Sequence, residues 1–484
     1  MASIVRRAPP AILATATLHW FGGGLHPVWP LAWLAPMPVL WFAAEAPIWA
    51  GAGAAFLAWF AGSFALFGYF HGTIHMPLPV ALLISAESSL PVTLAAALFR
   101  VSLRRDALWL ALFGPAGLWV AMEYGNSLVS PHGTHGSQAY TQLDFLPVLQ
   151  VASVTGPWGI TFLLVSTASA LAIVASRFRE VRALRAAGAG LALAALALLF
   201  GEVRLSQPQP GTPVKVGLLA SDLKENSGVI EPGAPATRLF ADYAREAAAL
   251  VRQGAQVVVL PENMAVVIES DQAGSDKVFQ DLADDSGAQI VAGMLRIEDG
   301  KKFNEARLYS PHAPVVAYDK QHLLPPFESP ITPGTGLTLL TKPGSPWGLA
   351  ICKDFDFTNP ARHYGAAGVG LMLVPAWDFV DDAWAHGHIA IMRGVEDGFA
   401  MVRAARGGYL TVTDDRGRVL AEGKSWSNDF SSLIATVPSG HEDTLYVRFG
   451  DWFAWASIGV LLTCLARLVS SRPREGEMSH ERKM

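Results

Sequence analysis

The strongest constraint on this chain is a series of apolar runs, each near the ~20 residues that a helix needs to cross a bilayer. They fall roughly at 10–24, 28–45, 48–70, 79–101, 107–123, 150–175, 187–203 and 452–470. Gly22-Gly23-Gly24 and Pro27 blur the boundary of the first two, whereas Ala187 to Gly201 (AGAGLALAALALLFG) is the least ambiguous. Residues 1–203 contain no lysine and few acids, while 204–450 has ordinary globular composition. Arg6 and Arg7 before an apolar run suggest a signal peptide, but no clean cleavage site precedes the further spans, so the run reads as an uncleaved first span.

Arginine placement orients the spans. Arg6, Arg7, Arg100, Arg104, Arg105, Arg177, Arg179, Arg182, Arg185, Arg472 and Arg474 fall on one side of an eight-span arrangement, and the loops 70–79 and 124–149 carry none. The expected organisation is a seven-span membrane domain over 1–203 and an extracytoplasmic domain over 204–450. A last transmembrane helix over 451–471 and a cytoplasmic tail over 472–484 complete it. Glu87 and Glu123 are ionisable groups within spans, where such groups face a bundle interior or reach water. His132 and His135 have metal-ligand spacing but no acid or thiol close in sequence, so 124–149 reads as a solvated loop. With no basic patch and no aromatic pattern for stacking bases, nucleic acid is excluded as a partner.

From Val214 onward, short apolar runs alternate with helical stretches, the pattern of a mixed sheet covered by helices. Three chemically active residues stand just past strand-like runs. Glu262 follows Val257-Val258-Val259-Leu260-Pro261, Lys320 follows Val315–Tyr318, and Cys352 follows Trp347–Ile351. Alone, a free cysteine is most often an inert buried residue. The only other cysteine, Cys464, lies in the last apolar run, which excludes a disulfide framework. Together the three supply a base, a cation and a thiol, which is what acyl transfer through a covalent intermediate requires. Lys353, next to the thiol, reads either as a charge that lowers the thiol pKa or as a solvated flank. His386 and His388 resemble a metal pair that nothing in sequence completes, so no metal is expected.

The three segments resemble the Glu-Lys-Cys triad of the nitrilase, or carbon-nitrogen hydrolase, superfamily. Lys320-Gln321-His322-Leu323 with Pro325 and Glu328 matches its lysine motif, and Arg393-Gly394-Val395-Glu396 with Val402-Arg403-Ala404 resembles its later helix and strand. The spans with this domain before the last one are similar to the apolipoprotein N-acyltransferase branch. Gln150 to Leu163 and Thr444 to Asp451 resemble two of that branch's signatures. The resemblance implies an α-helical polytopic membrane domain plus an α/β domain of the α-β-β-α sandwich type. It also implies an enzyme of bacterial lipoprotein maturation in the inner membrane, with the catalytic domain on the periplasmic side. Such an enzyme passes an acyl chain from a phospholipid through a Cys352 thioester to the amine of a diacylglyceryl apolipoprotein. Glu262 would be the base, Lys320 the oxyanion partner and Glu328 its orienter; Lys353 and Trp377 would support the site. No cofactor is implied, and a monomer is expected. Cys352-Lys353-Asp354 departs from the branch's Cys-aromatic-Glu, and Trp377-Asp378 with Asp381, Asp382 and Trp384 only approximates its Asn-Asp-x-Trp. A membrane-tethered amidase, another amine acceptor, or a domain that only binds ligand therefore stand as alternatives.

Overall fold

The computed structural model describes residues 6–222 and 228–470; Arg472, Arg474 and the tail expected beyond them lie outside the described residues. The N-terminal part is helical: Ala8–Gly22 (α1), Met37–Ala43 (α2), Ile48–Ser63 (α3), Leu78–Ser88 (α4), Leu90–Arg104 (α5), Leu108–Val129 (α6), Pro157–Arg177 (α7) and Val181–Ser206 (α8). By length and composition, Ile48–Leu66, Leu78–Arg104, Pro157–Arg177 and Val181–Ser206 can each cross a membrane. The run 150–175 does not make one helix. Gly156 takes a left-handed φ of 63°, and Pro157 opens α7 where its missing N–H costs nothing. The arginine-bearing helix ends meet one another. Arg7 pairs with Glu45 at 2.6 Å, Arg177 and Arg182 both approach Asp106 at 3.5 Å, and Arg100 donates to the Ala44 carbonyl.

The second part is built on two sheets. The strands are β1 (Pro213–Ser221), β2 (Val257–Val259), β3 (Val266–Ile268), β4 (Gln289–Glu298), β5 (Lys301–Tyr309), β6 (Val316–Asp319), β7 (Thr338–Leu340), β8 (Trp347–Leu349), β9 (Leu371–Trp377), β10 (Ala400–Arg406), β11 (Tyr409–Thr413), β12 (Val419–Lys424) and β13 (Phe430–Pro438). One sheet runs β13-β1-β2-β4-β5-β6 with β3 on β4, and the other runs β12-β11-β10-β9-β8-β7. Helices Ala234–Arg252 (α9) and Glu269–Ser286 (α10) cover the first; Ala361–Ala366 (α11) and Ala383–Asp397 (α12) lie on the second. The period of two in a strand divides the core. Val257 and Val259 meet Leu373 and Val402 between the sheets, whereas Val258 and Leu260 pack with Phe240 and Phe279 under the helices. This is the α-β-β-α sandwich. The chain leaves it through Trp452–Ser470 (α13).

The segment 130–142 is a joint between the two parts, not a solvated loop. Thr134 donates through its N–H (2.9 Å) and hydroxyl (2.7 Å) to the Asp356 carbonyl, and Arg393 donates to the Tyr140 hydroxyl at 2.8 Å. Glu123 holds its base. It accepts from Trp119, Ser137, Thr161 and the Gln138 N–H at 2.8 to 3.1 Å, so this carboxylate is fixed by donors.

Candidate active site

The tips of β2, β6 and β8 converge. Glu262 leaves β2 through Leu260-Pro261, and its backbone is pressed against β4 at Gly293. A Cβ there would run into the Pro261 carbonyl and sit 2.7 Å from the Glu262 Cα, so only glycine fits. Lys320 Nζ donates to Glu262 Oε1 and to Glu328 Oε2, both at 2.8 Å, and all three side chains are buried. Asn304 of β5 binds both acids, donating to Glu262 Oε1 at 2.6 Å and Glu328 Oε1 at 2.7 Å. The Leu324 N–H adds a bond of 2.7 Å to Glu328. Each buried charge in this row thus has partners, without which its burial would cost several kcal/mol.

Cys352 opens a short 3-10 turn, Cys352–Asp356, with φ at 42°, a left-handed value that a residue bearing a Cβ seldom adopts. Its thiol lies 3.5 Å from the Trp377 carbonyl, 3.9 Å from Asp378 Oδ1 and 4.0 Å from Arg403 Nη2. Burial, reinforced by the Glu262 charge, pushes the thiol well above its usual pKa, against the pull of Lys320 and Arg403. Burial also raises Glu262, though Lys320 opposes it. Lys320 itself is held above its usual value: burial acts against the ammonium, but the Glu262, Cys352 and Glu328 charges outweigh it. A resting thiol that is neutral, facing a carboxylate of raised basicity, is an arrangement for base-assisted attack.

Asp354 ties the thiol turn to the lysine segment. One oxygen accepts from the N–H groups of Gln321 (3.1 Å) and His322 (2.9 Å), the other from Ile351 N–H (3.0 Å) and Tyr318 hydroxyl (2.8 Å). Lys353 is not a solvated flank. Its ammonium is buried, 2.9 Å from Asp356 Oδ2 and 3.1 Å from His132 Nδ1, and the main charges acting on the thiol are those of other residues. Trp377, at the end of β9, is 36% exposed and lays its ring on Arg406 at 4.1 Å. Asn304 carries no signal in sequence spacing; Asp378 and Arg403, which the sequence places only within motif-like segments, form a buried bidentate pair at 2.6 and 2.7 Å.

The histidines sort differently from their spacing. His388 stacks on Trp384, while His386 joins His135 and Asp356, their donor atoms lying within 4.8 Å of one another. The fold thus brings to His135 and His386 an acid, Asp356, that is distant from both in sequence. That acid is already matched by the Lys353 ammonium. Burial disfavours the His386 imidazolium, but Asp382, Asp356 and Asp378 outweigh it and raise its pKa to about 9.

A neutral thiol at a left-handed turn, facing a Glu-Lys-Glu row on an α-β-β-α sandwich, defines the carbon-nitrogen hydrolase class, here borne on a helical membrane domain. The match to the carbon-nitrogen hydrolase family spans residues 234–441, and residues 15–170 match the apolipoprotein N-acyltransferase N-terminal domain. Apolipoprotein N-acyltransferases are similar along most of the chain. That of Geobacter metallireducens is 28% identical, covering 70% of this chain and 71% of its own. That of Haemophilus ducreyi is 26% identical, covering 92% and 95%. Among solved structures, a nitrilase-superfamily amidase of Nesterenkonia covers 51% of this chain and 98% of its own, at 21% identity and a TM-score of 0.41. The chain belongs to the apolipoprotein N-acyltransferase family.

Proposed function

We propose that the protein moves an acyl chain from a phospholipid, through a thioester on Cys352, to the α-amine of a diacylglyceryl-cysteine at an apolipoprotein N-terminus. Glu262 takes the thiol proton, and the thiolate attacks the donor ester carbonyl. Lys320 and the Lys353 N–H stabilise the oxyanion. Collapse breaks the ester C–O bond, Glu262 returns its proton to the lysophospholipid oxygen, and the thioester remains. The amine then attacks the thioester carbonyl, Glu262 accepts the amine proton, the C–S bond breaks, and Glu262 passes that proton to the departing sulfur to restore the thiol. The observation that carries this reading is the buried Glu262–Lys320–Glu328 row beside a thiol of raised pKa. Both substrates are lipids, so a thiol held over an apolar bundle meets them at the bilayer surface and is shielded from the water that would hydrolyse its thioester.

The clustering of Arg7, Arg100, Arg177 and Arg182 at one end of the helices supports a cytoplasmic placement of that end. The catalytic domain then stands on the periplasmic side of the inner membrane, within the eight-span order read from the sequence. The test is to incubate purified protein with phospholipid labelled in its acyl chains, then add a diacylglyceryl peptide. Hydroxylamine-labile label on wild type but not on Cys352→Ala, moving to the peptide amine, is expected. Release as free fatty acid alone would replace this reading with a hydrolase.

A further inference from the structure

Two polar clusters flank Cys352, and the chemistry above uses only one. The other is assembled across the joint between the two parts of the protein. Lys353 reaches Asp356 in its own turn and His132 in the segment 130–142. His386 of α12 stands 3.5 Å from Asp356 Oδ2 through Nε2, while its Nδ1 is 3.5 Å from Asp382 Oδ2 and 3.8 Å from Asp378 Oδ1. Asp382 accepts a bond of 2.5 Å from the Tyr69 hydroxyl, and the next acid, Asp381, accepts from Thr73. Tyr69 and Thr73 lie in a short wide-wound turn, Gly68–Thr73, just beyond α3. The line is therefore continuous from a membrane-domain turn, through Asp382 and His386, to the Asp378–Arg403 pair within 4.0 Å of the thiol.

A residue held in left-handed geometry persists only where its surroundings fix it. Asp354 fixes the Cys352 turn toward the first sheet; Lys353 fixes it toward the membrane domain. A transition metal on His135, Asp356 and His386 is the other arrangement that these donors suggest. The ammonium of Lys353 opposes it, because a divalent cation on Asp356 would be forced against that charge at close range.

We propose that Lys353 and His386 are positioning residues for the thiol, held by His132 and Tyr69, so that two turns of the membrane domain set the geometry of Cys352 and of the Asp378–Arg403 pair beside it. The proposal rests on Cys352 as the nucleophile. Lys353 thereby gains a function: it is the internal cation of a joint that relays membrane-domain geometry to the reacting sulfur.

The experiment uses the full chain in detergent or nanodiscs and follows acyl-enzyme formation from labelled phospholipid together with the pH profile of Cys352 alkylation by iodoacetamide. The Tyr69→Phe and Lys353→Met variants are expected to lower kcat about tenfold, with KM within about twofold of wild type, and to move the alkylation profile. Lys353→Arg, which keeps the charge, should restore most of the loss. Tyr69→Phe removes one hydroxyl remote from the thiol, so its folding is monitored by its melting temperature. Unchanged kcat and alkylation in Tyr69→Phe and Lys353→Met would overturn the proposal. So would a loss of rate that only tracks loss of folded protein while the alkylation profile stays fixed. Tight zinc binding that His135→Ala and His386→Gln abolish would overturn it in favour of a metal site. Acyl-enzyme on Cys352→Ala would instead defeat the assignment of the nucleophile.

Discussion

The two clusters beside Cys352 are both buried and both charged, yet they are built in opposite ways. The Glu262–Lys320–Glu328 row lies wholly inside the sandwich, at the tips and edge of the first sheet, with one lysine shared by two acids. The Lys353–Asp356–His386 cluster has two cations and several acids, and half of its outer partners come from the membrane domain. The first has the composition of a reacting centre, with one proton acceptor, Glu262, of raised pKa near a thiol. The second has that of a joint, where opposite charges satisfy one another. Domain-internal chemistry and interdomain positioning are thus separated on the two sides of one residue.

The sharpest way to break that contrast is Glu262→Gln. It removes the base, and acyl-enzyme formation is expected to fall about 10³-fold. With Glu262 as the proposed base, wild-type activity should decline as pH falls through its raised pKa, a limb that the variant loses. Asp354→Ala comes next. It strips three N–H groups and the Tyr318 hydroxyl of their acceptor, and a loss of about 3 kcal/mol in denaturant unfolding is expected.

His386 tests the second cluster through pH. Its folded pKa of about 9 exceeds the ~6.5 of an unfolded histidine, so its stabilisation is full below about pH 6.5 and is lost as pH rises through about 9. Melts at pH 6 and pH 9.5 should differ by on the order of 2 kcal/mol more in wild type than in His386→Gln. The smallest effect belongs to His132→Ala, which leaves Lys353 its carboxylate partner. About 1 kcal/mol of stability and a few-fold in kcat are expected, and a larger loss than from Asp354→Ala would invert the comparison.

Sequence pattern located Glu262, Lys320 and Cys352 because each ends an apolar run, and burying the run forces its end to the sheet edge. Asn304 was not legible, since β5 (Lys301–Tyr309) is polar enough to read as a loop. Its antiparallel pairing with β4, Asn304 opposite Leu295, turns the amide onto the two acids. The surroundings of Lys353, which the sequence leaves between a charge acting on the thiol and a solvated flank, were hidden for a different reason. A lysine beside a strand end is normally solvated, and its partner His132 is 221 residues away, across a domain boundary that local periodicity does not cross. The same distance hid the link between His135, His386 and Asp356. The helices of the membrane domain were legible as apolar runs, but the break at Gly156-Pro157 shows that hydropathy marks apolar length, not where the helix starts.

The catalytic domain is stapled at both of its chain ends. Where it begins, Arg204 binds Gln150 and pairs with Glu442 at 2.6 Å, and Gln150 also donates to the Arg416 carbonyl. Where it ends, Asp451 accepts from Trp158 at 2.7 Å and Tyr446 at 2.9 Å, and Trp452 donates to the Val154 carbonyl at 2.8 Å. In the proposed placement, two fastened ends hold the body to one height and one tilt above the lipid. Any ester diffusing in that leaflet then meets the sulfur by a search in two dimensions, at a local concentration set by the packing of lipids and not by their solubility in water.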